Sequence, residues 1–199
     1  MKLSNLILLS IASLAFFYIQ LWDQRLVTPI YISLLTICIG YGIYIREINV
    51  IHIAGFILAL TGIEIIIFES GIINHVTVAE NTLLQGSIIY GVQIFFTVTT
   101  ALVLIFRVQL SRLLSNSTNI KLTNFDGVFH WLFIYMAIVN LLTLLENIAW
   151  SYFNMKSWTL IYDNFEGLIY IAWALCCGAL LTMLICAPKL TPPQERKLS

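Results

Sequence analysis

Glu64 is the residue whose type and position most invite a chemical role. It stands in Leu60-Thr61-Gly62-Ile63-Glu64-Ile65-Ile66-Ile67-Phe68, an otherwise apolar run. A carboxylate at the centre of a membrane-crossing helix costs about 2.5 to 3.5 kcal/mol on insertion scales, while each Leu, Ile, Phe or Val returns about 0.3 to 0.6 kcal/mol. The run therefore inserts without a partner for the charge, yet an intramembrane carboxylate generally faces a bundle interior or water. Glu146 lies at a similar depth in a later run that crosses the opposite way, so the two can share one outer cavity. Tyr90, Gln93, Thr97 and Thr100 recur at helical spacing, as do Asn140, Thr143 and Asn147. Such a stripe either lines a pathway or forms interhelical hydrogen bonds, and the second is the commoner arrangement. Glu64, Glu146, Asn140 and Gln93 form the candidate intramembrane polar site.

The remaining reactive residue types point away from catalysis. Cys38, Cys176, Cys177 and Cys186 all lie in apolar segments without zinc-site spacing, which suits small packing residues. His52 and His130 fall near the inner ends of apolar runs and His75 in an outer loop, none with a metal-ligand partner at helical spacing. His75 is the outer group able to titrate between about pH 5 and 8. Thr36-Ile37-Cys38-Ile39-Gly40-Tyr41-Gly42 has a potassium-filter look, but it sits inside one uninterrupted run, where a filter needs a re-entrant loop. There is no His-Glu-x-x-His, no Gly-x-Ser-x-Gly and no Gly-Lys-Ser/Thr phosphate loop. The expectation is a chain that is not an enzyme, with no catalytic residue, no cofactor and no metal.

The elements that must position these residues are membrane spans. Of 199 residues, 60% are apolar and 10% charged, against about 25% charged in soluble domains, and mean hydropathy is +0.92. A spanning helix needs roughly 20 apolar residues. Six runs qualify, at 3–22, 26–45, 50–68, 83–106, 127–150 and 167–185, predicting an all-α polytopic transmembrane bundle over 1–188 and a polar tail over 189–199. The first two gaps permit only tight hairpins, so spans one to three should pack as neighbours. Loops rich in Lys and Arg stay cytoplasmic. With both termini inside, Lys2, Arg46, Arg107, Arg112, Lys121, Lys189, Arg196 and Lys197 face the cytoplasm, leaving Arg25 and Lys156 outside. Asp23, Glu69, Glu80, Glu146, Asp163 and Glu166 gather at the outer face.

Between the spans, Arg107 to Leu114 is expected to continue the fourth helix into the headgroup layer with its arginines toward anionic lipid. Thr123-Asn124-Phe125-Asp126 reads as a capping box opening the fifth helix. Arg107, Arg112 and Lys121 are candidate contacts for a cytoplasmic partner. The outer segment 151–166 carries Tyr152, Phe153, Trp158, Tyr162 and Phe165. Its aromatics suit an interfacial segment lying along the outer surface, and with Trp158, Asp163 and Glu166 they also suit a sensing surface for an extracytoplasmic ligand. Gly55, Ala59 and Gly62, Ser87 and Gly91, and Ala174 and Gly178 mark close helix approach within the chain or between subunits, so a homo-oligomer is expected.

In size, span-rich layout and general sequence character, the whole chain resembles the membrane subunit of bacterial Kiwa anti-phage defence systems. The resemblance implies a multi-pass protein of the bacterial inner membrane, a tetramer that senses phage infection and works with a cytosolic DNA-binding protein; this chain itself carries no basic patch for nucleic acid. No diagnostic motif anchors the likeness, so no functional residue is carried over from the family. The leading expectation is a non-enzymatic sensor and scaffold that detects envelope perturbation and recruits a cytosolic partner. The competing one is a small channel or solute transporter with a polar cavity around Glu64 and Glu146. A third is an accessory or immunity protein that occupies a partner in the bilayer.

Overall fold

The computed structural model describes residues 3–22, 24–71, 82–115, 117 and 120–186. Among these residues the chain is all-helical, with no strand. The helices are α1 (Leu3–Trp22), α2 (Gln24–Ile45), α3 (Ile48–Glu69), α4 (Thr82–Ile105), α5 (Arg107–Leu114), α6 (Asp126–Tyr152), α7 (Leu160–Asp163) and α8 (Phe165–Cys186). Five of them, α2, α3, α4, α6 and α8, are long and apolar enough to cross a membrane. The outer loop with His75 and Glu80, the residues Lys2 and Asp23, and the tail with Lys189, Arg196 and Lys197 lie outside the described residues.

The α2–α3 turn is tight because α2 ends on Arg46 in the left-handed region, with φ 57°. The Arg46 N–H donates to Ile43 O (3.1 Å) and the Glu47 N–H to Gly42 O (2.9 Å), which uses up carbonyls that the helix end would otherwise leave unpaired. The filter-like stretch lies within α2, as one continuous helix. Gly42 has a packing reason instead, since a Cβ there would stand 3.0 Å from Ile51 Cγ1 across the hairpin.

α8 is the hub. Between helices in lipid, association rests on van der Waals packing and close backbone approach rather than on hydrophobic exclusion. Ala172, Ala174, Cys176, Cys177, Gly178 and Ala179 keep one stretch of α8 thin, and all are buried. α1, α2 and α6 pack around it. Tyr31 of α2 stacks on Trp173 with ring centroids 4.7 Å apart and planes 4° off parallel, and its hydroxyl donates to Cys176 Sγ at 3.7 Å. Cys38, Cys176 and Cys177 are buried in this core, whereas Cys186, at the end of α8, is exposed. The expected neighbourhood of spans one to three holds firmly for α2 and α3 and only slightly for α1 and α2. α1 packs chiefly on α8, whose small residues admit it more closely than α2 does.

α4 and α6 form the most extensively packed pair. Of the small residues expected to mark close approach, Gly55, Gly62 and Gly91 would each accommodate a Cβ without any contact within 4 Å. The close approach is at Gly86 instead, where a Cβ would fall 2.7 Å from Asn147 Cγ, so the Asn147 amide lies flat against the glycine. α4 does not run on through Leu114: the chain bends at Phe106, with φ −91° and ψ 15°, and restarts as α5.

Candidate functional site

At one end of the bundle α6 gives way to an aromatic connection. The helix ends through Asn154, which tolerates its left-handed φ of 56°, and the Met155 N–H returns to Ala149 O at 3.1 Å. This reversal carries Trp158 and Thr159 back toward the bundle. The four-residue α7 that follows has no side-chain cap of its own. Glu146, reaching up from α6, supplies what is missing: Oε1 accepts the Ile161 N–H (3.1 Å) and Oε2 the Tyr162 N–H (2.8 Å). These are orphan donors at a helix start, and an anion satisfies them well. Thr159 Oγ1 donates to Asp163 Oδ2 (2.8 Å) and Asn164 Nδ2 to Leu160 O (2.8 Å), tightening the same turn.

Under this pinned connection lies a cavity of about 460 Å³. The first turns of α4 contribute Gln85, Gly86, Ile89 and Tyr90, the last turns of α6 contribute Glu146, Asn147 and Trp150, and the connection closes it with Trp158, Thr159, Tyr162 and Asp163. Three residues expected to matter on separate grounds, Glu146, Trp158 and Asp163, therefore meet at one cavity. Glu166 does not line it and opens α8 alongside, exposed. Glu64 does not line it either. It is half-buried on α3, within electrostatic reach of Tyr31, so the two carboxylates expected to share a cavity do not.

The polar stripe meets a different fate from either expected one. Thr97, Thr100 and Thr143 donate to the carbonyls of Gln93, Phe96 and Val139, each four residues back on its own helix, at 2.8 Å. Asn140 Nδ2 likewise donates to Met136 O at 3.0 Å. The hydrogen bonds of these four side chains thus stay within their own helices, although the side chains themselves are buried. Gln93 Oε1, Asn140 Oδ1 and Asn147 Nδ2 are buried without a hydrogen-bond partner, and of the three residues only Asn147 borders the cavity. Gly86 and Thr159 carried no signal in the sequence. Glu146, Asn147 and Trp150, at spacings of three and four, did form one readable helix face.

At the opposite end the basic residues divide. Arg107 is 1% exposed and Asp126 7%. Its Nε lies 2.6 Å from Asp126 Oδ1, Nη2 donates to Asp126 Oδ2 and Lys121 O (2.7 Å each), and Nη1 donates to Asn49 Oδ1 (3.1 Å). Asn49 Oδ1 also accepts the Lys121 N–H (3.2 Å), and Asn49 Nδ2 donates to Glu47 Oε1 (2.9 Å). This corrects the expectation for Arg107. It faces neither lipid nor a partner, because the bend at Phe106 turns it inward to lock α3, α5 and α6 together. Arg112 and the Lys121 side chain remain exposed. Only half the capping box forms: the Thr123 N–H donates to Asp126 Oδ2, while Thr123 Oγ1 is buried without a partner and Asp126 turns to Arg107. His130 Nδ1 lies 3.0 Å from Asp126 O. Among the described residues, no three His, Cys, Asp or Glu side chains gather as a metal site.

An all-helical bundle with, among the described residues, five helices long and apolar enough to cross a membrane, tied at one end by an ion-paired network and opened at the other by an aromatic cavity, marks a multi-pass membrane protein. In comparisons with known proteins it matches no family model, no curated protein and no solved structure.

Proposed function

We propose that this chain is a non-enzymatic sensor and scaffold of the bacterial inner membrane. α1, a 20-residue helix packed on α8, serves as a sixth span. With six spans both termini are cytoplasmic, the end carrying Arg46, Arg112 and Lys121 faces the cytosol, and the aromatic cavity opens outward. The observation that supports this reading over a conduit is the contrast between the ends. The outward end is an accessible cavity, the inward end is tied across three helices by Arg107 and Asp126, and the hydroxyls between them are bonded to their own helices. In the sensing reading, a perturbation at the outer aromatic connection reaches the bundle through Glu146 on α6. The same helix begins at Asp126, beside the exposed Arg112 and Lys121 that would hold the partner. The resemblance to the Kiwa membrane subunit supplies that partner's class, a cytosolic DNA-binding protein, and a homo-oligomeric assembly for the chain.

Two measurements on the full chain test the reading. Vesicles holding it should pass potassium, sodium and small solutes no faster than empty ones. A DNA-binding partner that co-purifies from the native cell should be lost from Arg112→Glu/Lys121→Glu, a surface change expected to move stability by no more than about 0.5 kcal/mol. Flux that Glu64→Gln abolishes would replace sensing by conduction, and undiminished capture by the double variant would remove the basic end as the docking surface.

A further inference from the structure

We propose that the aromatic cavity binds an alkylammonium group. The proposal deepens the sensing reading by naming the class of ligand received, and it rests on that reading only for which way the cavity faces.

Size comes first. About 460 Å³ falls in the range of small-molecule sites, roughly 300 to 1,000 Å³, and exceeds what a few water molecules need. Its lining then selects a charge. Tyr90, Trp150, Trp158 and Tyr162 present four aromatic rings, Glu146 and Asp163 present two carboxylates, and among the described residues no Lys or Arg lines the cavity. Aromatic faces carry negative potential and attract organic cations, most strongly when several rings surround one ammonium. The carboxylates add to the same field. An anion would meet repulsion from both, and a purely apolar guest would strip water from both without replacing it.

Placement supports the same class. Glu146 is held by two backbone N–H groups, one on each oxygen, so its carboxylate is fixed at the wall and keeps further lone pairs for an N–H donor. Among its described partners there is no lysine or arginine, in contrast to Asp126. Lys156, on the same connection, is exposed and does not line the cavity. Asn147 lines the cavity while its Nδ2 is buried against Gly86 without an acceptor, so a turn of that amide toward the cavity would give a donor to an oxygen carried near the ammonium. An ammonium with a neighbouring oxygen describes both a zwitterionic lipid headgroup and a soluble amino alcohol or its ester.

Tetramethylammonium chloride titrated into the purified full chain is the first probe, with sodium chloride at equal ionic strength as control. Tryptophan fluorescence and calorimetry should both show a saturable response to the organic cation alone. Asp163→Asn, which keeps all five tryptophans, should weaken it at least tenfold, and Gly86→Ala, which pushes the Asn147 amide off its seat, should weaken a cation that carries an oxygen, choline, more than tetramethylammonium. Nanodiscs with bromine-labelled phosphatidylethanolamine or phosphatidylglycerol separate the sources. Stronger tryptophan quenching by the ethanolamine lipid assigns the site to a lipid headgroup, and equal quenching alongside a tetramethylammonium response assigns it to a soluble amine. A response that sodium reproduces, no saturable response, or one that Asp163→Asn leaves intact would overturn the proposal. These outcomes are independent of the sensing reading: vesicles that conduct would remove sensing and leave the ammonium site standing. Sealed vesicles with a captured partner but no ammonium binding would do the reverse.

Discussion

Asp126 and Glu146 sit toward opposite ends of the same helix, α6, and accept one and two backbone N–H groups, respectively, of the connection beside them. Asp126 also meets a buried guanidinium, while Glu146 meets none among the described residues. The consequence is a difference in kind between the two ends. Where the charge is neutralised inside the protein, three helices are fastened. Where it is held in place by dipoles alone and flanked by rings, a cavity persists with unspent negative potential. A carboxylate's partner therefore separates fastening from receiving better than its depth in the membrane does.

The largest effect should come from breaking the fastened end. Asp126→Asn leaves a buried cation without its counter-charge, which costs about 3 to 5 kcal/mol. Arg107→Met/Asp126→Leu removes both charges and should recover most of that loss, because a buried pair replaced by apolar groups is often close to neutral. Reversible unfolding in mixed detergent and dodecyl sulfate reads both. An unshifted midpoint for Asp126→Asn would mean that the Arg107 network does not fasten the bundle, and the contrast between the ends would dissolve.

A smaller and more local effect is expected at the other end. Glu146→Ala frees the Ile161 and Tyr162 amides, hydrogen bonds to a charged group worth about 1.5 to 3 kcal/mol together with the exposure of α7. Hydrogen exchange at those two amides should quicken roughly ten- to a hundredfold by that estimate, with global unfolding moved far less than by Asp126→Asn. If the whole bundle destabilised instead, Glu146 would be a fastener like Asp126.

What the sequence disclosed follows from which forces are local. Helix positions emerge from runs of apolar residues, and the membrane-crossing helices coincide with predicted runs to within a few residues because burial in lipid acts on every residue of a segment alike. The separation of Arg46, Arg112 and Lys121 from Lys156 emerged likewise from alternating gaps. Which arginine turns inward did not. Arg107 and Arg112 share one short amphipathic segment, and the residues that claim Arg107 lie 19 and 58 positions away, at Asp126 and Asn49. The cavity was legible in part: Glu146, Trp158 and Asp163 stood out by type, but their convergence depends on the turn at Asn154 and on the room left by Gly86. Gly55, Gly62 and Gly91 make no close approach within the chain, because small residues permit it without requiring it.

The smallest effect concerns the middle of the bundle, which belongs to neither end. Thr143 is fully buried, and its hydroxyl donates to Val139 O at 2.8 Å on its own helix. Thr143→Val keeps the shape and removes only this back-bond, whose acceptor retains its ordinary helical partner, so no group is stranded. Hydrogen bonds between membrane helices average about 0.6 kcal/mol, and a bond within one helix that adds no cross-helix tie should fall at or below that. Unfolding in dodecyl sulfate should place the variant within that margin of the parent. A loss of several kcal/mol would show that Thr143 binds something across α6, and the polar stripe would then regain its claim to be a path between the two ends rather than a set of hydroxyls closed on their own helices.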